Sequence, residues 1–220
     1  MALILNLETS TKNCSVSISK NGECLVLCEQ ASDGFQHAER LHQYISWAFE
    51  GCDYQLQDID AVGVGKGPGS YTGLRIGVSA AKGICFALNK PLLSMNSLEN
   101  MAHSNSKADF DLIIPMTDAR RKEVYTATFD NDLKCISETE AKILDENSFT
   151  ELNHKNILFV GDGAEKAKAI LNLKHAQFKS DILPSAEFMC SMMEEKFQQK
   201  QFEDVAYFDP FYLKDFVAGK

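Results

Sequence analysis

No stretch of 18 apolar residues occurs in this 220-residue sequence, so no helix is expected to span a membrane. Paired cysteines are missing as well. The seven cysteines, at 14, 24, 28, 52, 85, 135 and 190, form no CxxC motif and no evenly spaced ladder. They read as reduced thiols used as small hydrophobes, which points to a cytoplasmic protein. Positive charge is also scarce. Lys and Arg number 22 against 31 Asp and Glu, a formal net charge of −9. An autonomous nucleic-acid binder needs a basic surface, so any RNA contact is expected to depend on a partner that brings the charge. The opening MALILNLETST has no basic n-region, and its apolar run is too short for a signal peptide, so it reads as a strand.

Hydrophobic residues at 45% and charged residues at 24% give an ordinary globular balance, which excludes wholesale disorder. A chain of this length buries roughly 70% of its unfolded surface and needs no staples. Residues 2–7 are a nearly continuous apolar run, as in a buried strand. Residues 14–20 alternate, Asn21-Gly22 marks a type I′ hairpin, and 23–29 return. Residues 30–36 are polar and turn-prone. Helical periodicity follows over 37–52, with Leu41, Ile45, Ala48 and Cys52 in one stripe and Phe49, Tyr44 and Trp47 widening it. The apolar arc covers about 200°, more than one core-facing stripe needs. A buried strand at 60–65 leads through KGPGSYTGLRIG into a second helix over 73–89. That helix is small and apolar nearly all round, with Gly77, Ala80, Ala81, Gly83 and Ala87 permitting another helix to approach closely. A strand at 91–95 and a short helix after Ser97 complete the pattern.

Residues 103–109 are polar and small and read as a linker. Beyond them the order restarts, with strands expected at 111–119, 123–130 and 133–139, a strand at 156–163, a helix over 164–172 and another over 185–200 capped by Ser185. The aromatic tail is expected to pack back on the first lobe. The domain reading is therefore 1–102 with 204–220, and 103–203. Antiparallel strands followed by helix-linked strands, given twice, are the plan of the actin-like ATPase fold, also called ASKHA or RNase H-like. This is an α/β fold of two lobes, each a mixed sheet with flanking helices.

The segment Gly65–Gly77 is a glycine-rich turn between a strand and a helix. Its backbone N–H groups, at Gly67, Gly69, Ser70, Tyr71 and Thr72, are placed to meet an anion or nucleotide. It is neither a P-loop nor a dinucleotide fingerprint, and a tight structural turn accounts for it equally. Arg75, one turn into the helix, calls for a carboxylate or carbonyl partner and reads as structural.

GKGPGSYTGLRIG also resembles the signature of the TsaB (YeaZ) family. LETST at 7–11, His37-Ala38-Glu39, the DARRKEVY run at 118–125 and Pro210–Lys214 resemble further segments of that family, in register along the whole chain. The resemblance implies an actin-like fold. It implies a part in the threonylcarbamoyl adenosine modification of tRNA beside the anticodon. It further implies a non-catalytic subunit that pairs with the catalytic TsaD, joined by the ATPase TsaE, with tRNA bound only within the complex. ATP and a metal ion are then expected only in the partner subunits, and the isolated chain is expected to self-pair. The interface residues implied are Leu41, Tyr44, Ile45, Trp47, Ala48, Gly77, Ala80, Ala81 and Ile84. Asp118, Arg120 and Arg121 belong to the family's structural motif.

The alternative is a small ATP-dependent phosphotransferase of the same fold. At its two phosphate turns this chain has Glu8-Thr9-Ser10 and Asp118-Ala119-Arg120, where a shorter Asp and a glycine are expected. Gly161-Asp162-Gly163 resembles an adenosine-side turn but is a weak signal. No catalytic set is spaced for a nucleophile. His37 and His42, five apart, point about 140° from each other on a helix and cannot share a metal.

Overall fold

The computed structural model describes residues 2–32, 36–104 and 109–214. Parts of three expected segments lie outside them: 33–35 of the polar turn, 105–108 of the linker and 215–220 of the tail. The chain divides into two compact units, Met1–Ser97 with Pro184–Tyr212, and Leu98–Leu183 with Leu213–Asp215.

The first unit is built on a five-stranded mixed sheet. Its strands are β1 (Leu3–Glu8), β2 (Asn13–Lys20), β3 (Glu23–Ala31), β4 (Ala61–Gly67) and β5 (Leu92–Asn96), in the order β3-β2-β1-β4-β5. β1 is antiparallel to β2 and parallel to β4. The hairpin between β2 and β3 turns on Asn21 (φ 56°) and Gly22 (φ 81°), both left-handed as a type I′ turn requires. Helices α1 (His37–Glu50) and α2 (Tyr71–Leu88) lie side by side on one face. There Leu41, Ala48, Val78 and Ala81 meet Leu5, Leu7, Val16 and Val64. α2 closes on Asn89, which is left-handed at φ 52°.

The other face departs from expectation. The region 185–200 belongs to this unit, not the second lobe. Its helix is shorter than expected, running from Cys190 to Gln198 after a single 3-10 turn. Met189 and Met193 pack on Ala2, Ile4, Ala61, Leu93 and Met95. The reason is chemical. The serines of β2 are buried, and two of their hydroxyls bind the backbone of the returning segment. Ser17 Oγ donates to Ala186 O at 2.8 Å, Ala186 N donates to Ser15 Oγ at 2.9 Å, and Asn13 donates to Pro184 O at 3.0 Å.

The second unit carries strands β6 (Leu112–Asp118), β7 (Glu123–Thr126), β8 (Phe129–Asp130), β9 (Glu140–Ile143), β10 (Ile157–Val160) and β11 (Ala176–Lys179). Their order is β11-β10-β6-β7-β9, with β8 also pairing β6. β6, β10 and β11 are parallel, while β6, β7 and β9 are antiparallel. Helix α4 (Gly163–Ile170) covers one face, with Ala164 and Ala167 against Ile114, Met116 and Phe159. Helix α3 (Ser97–His103) supplies Leu98, Met101 and Ala102 to the other, against Ile113, Leu158 and Val160. The second unit thus begins at Leu98, five residues before the linker expected at 103–109. The strand expected at 133–139 is reduced to one bridge, Phe129 to Cys135, and β9 takes its place beside β7. No described helix is long and apolar enough to cross a membrane.

Candidate functional site

The glycine-rich turn serves the interior of the first unit. A Cβ at Gly69 would fall 2.2 Å from the Ser10 carbonyl oxygen, and one at Gly73 would fall 2.1 Å from that of Thr9. Only glycine lets the start of α2 lie this close to the turn after β1. Two N-terminal donors of this region have partners within the unit. Ser70 N donates to Ser10 O at 2.6 Å, and Gly73 N donates to Ser70 Oγ at 3.3 Å. Gly67 faces Leu74. Of the backbone donors expected to meet an anion, Ser70 N is bonded within the protein, and the Thr72 side chain lies on the surface. Tyr71 packs on Tyr212 with ring centroids 4.8 Å apart. Among the described residues Arg75 meets neither carboxylate nor carbonyl: its guanidinium lies 4.0 Å from the Tyr71 ring centroid, and Nε donates to Tyr212 OH at 3.3 Å.

Glu8 is fully buried at the end of β1. Oε1 accepts from Ser10 N at 2.6 Å and Oε2 from Ser97 Oγ at 3.3 Å. Burial pushes its carboxyl above the usual range, partly offset by those hydrogen bonds. His37, also buried, donates from Nε2 to Thr11 O at 2.8 Å, and burial lowers its pKa. His42 is exposed, so the two histidines diverge as their spacing requires. Among the described residues, no group of three or more His, Cys, Asp or Glu side chains is placed to hold a metal ion.

In the second unit, Asp118 ends β6. Its Oδ1 accepts from Arg120 N at 2.6 Å and from Lys166 Nζ at 2.7 Å. Arg120 (φ 69°) and Arg121 (φ 54°) form the hairpin tip in the left-handed region.

The remaining surface is the outer side of α1 and α2. Leu41, Ala48 and Ala81 have no exposed surface, Tyr44 and Ile45 have little, and Gly77 is buried against Thr9 Oγ1. These six belong to the core and not to an outward interface, because the sheet takes the face on which they lie. Trp47 does point outward, half exposed, and Ala80 and Ile84 are partly so. At 100° per residue, Ile76, Ala80, Gly83 and Ala87 fall in one narrow arc beside the buried face, where Ile76 and Ala80 still touch the core and Gly83 and Ala87 are exposed. Phe86 flanks it at 86% exposure, and a Cβ on Gly83 would meet nothing within 4 Å. Sequence periodicity counts Phe86 with the apolar body of the helix. Only its phase, one step from Cys85 on the buried face, sets it apart.

The family model described as TsaD, tRNA N6-adenosine threonylcarbamoyltransferase, matches residues 26–218. The tRNA threonylcarbamoyladenosine biosynthesis protein TsaB of Bacillus subtilis is 30% identical, covering 83% of this chain and 78% of that protein. The protein of the same name from Haemophilus influenzae is 28% identical, covering 99% and 95%. The chain belongs to the TsaB (YeaZ) family. YeaZ from Pseudomonas aeruginosa shares the fold, with a TM-score of 0.86 at 23% identity over 97% of this chain and 100% of that one.

The TsaB-family chain has the two-lobed actin-like fold, which in ATPases holds a nucleotide and a metal ion. Its own residues do not fit that group. The Glu8 carboxylate has both oxygens engaged inside the unit, and a Cβ at the neighbouring Gly65 would fall 2.1 Å from Oε2. At the second turn, two arginines stand where a phosphate needs bare backbone.

Proposed function

We propose that this chain is a non-catalytic subunit in tRNA threonylcarbamoyladenosine biosynthesis. It would act in the cytoplasm and dock a TsaD-type transferase, holding it in its active shape. TsaE would join that complex, and ATP and metal would be handled by the partners. The docking surface is the outer face of α2 with Trp47 of α1, and copies of the chain pair through it when the transferase is absent. The names of the relatives support the pathway. The observation that carries the docking surface is Gly83, a helix glycine with open space beside it. Glycine within a helix costs about 1 kcal/mol against alanine. No described residue requires it, whereas a partner helix in close contact would. A standard interface buries about 1,600 Å².

The test is Gly83→Leu with Phe86→Asp, two changes that touch no core residue. Co-purification with co-expressed TsaD is expected to be lost while circular dichroism stays native. Undiminished co-purification would remove this surface from consideration.

The phosphotransferase alternative is not favoured, because Glu8 and Asp118 are both committed to internal hydrogen bonds. Calorimetry of the isolated chain with ATP and magnesium is expected to show no micromolar binding. Binding accompanied by turnover would reverse the ranking.

A further inference from the structure

Two hairpins of the chain turn on a pair of left-handed residues. Between β2 and β3, two left-handed residues are supplied by Asn21-Gly22, the pair that adopts this conformation most readily. Between β6 and β7, they are supplied by Arg120-Arg121. An arginine is strained there, where glycine is not and asparagine is less so. The turn therefore keeps two arginines at a position where cheaper residues would fold better. The chain has only four arginines, and these are the only two adjacent in sequence.

Their surroundings leave their charge free. Lys122 follows them, and all three side chains are exposed with no acidic partner among the described residues. Two nearby carboxylates are ion-paired and two more accept hydrogen bonds elsewhere. Asp118 pairs with Lys166, and Glu123 pairs with Lys214. Asp162 accepts from Asp118 N at 2.8 Å, and Asp145 accepts from Ser148 Oγ at 2.9 Å. The base of the turn is fixed by Ala119 N to Glu123 O at 3.1 Å and Glu123 N to Arg120 O at 3.1 Å. A rigid stalk thus carries three unneutralised cations on a chain of net charge −9.

We infer that Arg120, Arg121 and Lys122 form a finger that contacts the phosphate backbone of RNA. Guanidinium groups meet phosphate oxygens bidentately, and consecutive phosphates suit consecutive cations. That the polyanion is RNA rests on the proposed role in tRNA modification. Three contacts are too few to hold RNA at physiological salt, so the finger orients RNA that a larger assembly has bound.

The test gives the left-handed pair the residue types used at the other hairpin. Arg120→Asn with Arg121→Gly keeps the left-handed pair and relieves its strain, and Lys122→Ala removes the third charge. The probe is a fluorescein-labelled, unmodified tRNA transcript, followed by anisotropy as potassium chloride is raised from a low starting concentration. For the parent chain, log affinity is expected to fall against log salt with a slope of about −2 to −3. The triple variant is expected to lose most of that slope, to melt no lower than the parent and to keep TsaD co-purification. Removing three scattered charges instead, with Lys134, Lys155 and Lys174 changed to Ala, is expected to leave most of the slope. An unchanged slope in the turn variant overturns the inference. So does competition by polyglutamate as strong as by RNA at equal charge, which would make the finger a protein-docking site. Loss of TsaD co-purification in the turn variant would do the same. If the parent chain fails to bind TsaD yet the slope depends on the turn, the docking proposal falls and the finger stands.

Discussion

Gly73→Ala is expected to destabilise the first unit by about 2 kcal/mol or more, an overpacking cost. Gly83→Ala, ten residues along the same helix, is expected to stabilise it by roughly 0.5–1 kcal/mol. The substitutions are chemically identical and both remove a helix glycine. They differ in what the new methyl group meets. At Gly73 it would fall 2.1 Å from the Thr9 carbonyl oxygen, with the His37 ring at 3.2 Å. The nearest atom is backbone, so no flexible side chain can yield. Thr9 Oγ1 also donates to Gly73 O at 2.8 Å, so moving the helix breaks that bond as well. At Gly83 the methyl meets open space. For a chain of this size each kcal/mol moves the midpoint by about 2–4 °C. Thermal melts of the two variants should therefore shift in opposite directions. Equal shifts, or a fall for Gly83→Ala, would contradict the packing described.

Glu8→Gln is expected to raise stability near neutral pH, and the gain should grow with pH. Glu8 is buried, and burial raises its pKa above the ordinary 4.5. The native state therefore favours the protonated acid. Its contribution is fully present below the unfolded pKa and is lost as pH rises through the folded one. Glutamine keeps the acceptor for Ser10 N and carries no charge to bury. A gain of at least about 1 kcal/mol is expected at pH 7 to 8, or roughly 2–4 °C. Parent and variant should converge near pH 4. A parent that gains stability from pH 5 to 8 relative to the variant would show that Glu8 is stabilised as a carboxylate.

Much of the fold was legible from local pattern. The apolar run of β1, the Asn21-Gly22 turn and the periodicity of α1 and α2 each state their element directly. Two features were not. β11 is a four-residue strand with alternating exposure, too short for any period to show. The destination of the 185–200 region depends on the serines of β2. An alternating Ser/Val/Ile strand reads as one buried and one open face, and only tertiary structure shows the hydroxyls bonded to Ala186. The site was legible in part. Hydropathy identified α1 and α2 as unusually apolar, but it cannot tell which side of an all-round apolar helix faces the sheet. Tyr44, Ile45 and Ala81 therefore proved to be core, while Gly83 and Phe86 carry the outward face. The glycine-rich turn was ambiguous for a related reason. Glycine admits either a ligand or a neighbouring backbone, and here Ser10 and Thr9 occupy the space.

The serine face of the first sheet has a consequence for how the chain is made. Its cover, Pro184–Cys190, is translated long after the strands it protects. During synthesis Ser15 and Ser17 must wait for their Ala186 partners while residues 98–183 of the second unit emerge. The domain begun first is completed last, and a ribosome that stops before residue 184 releases a sheet with one side unsealed.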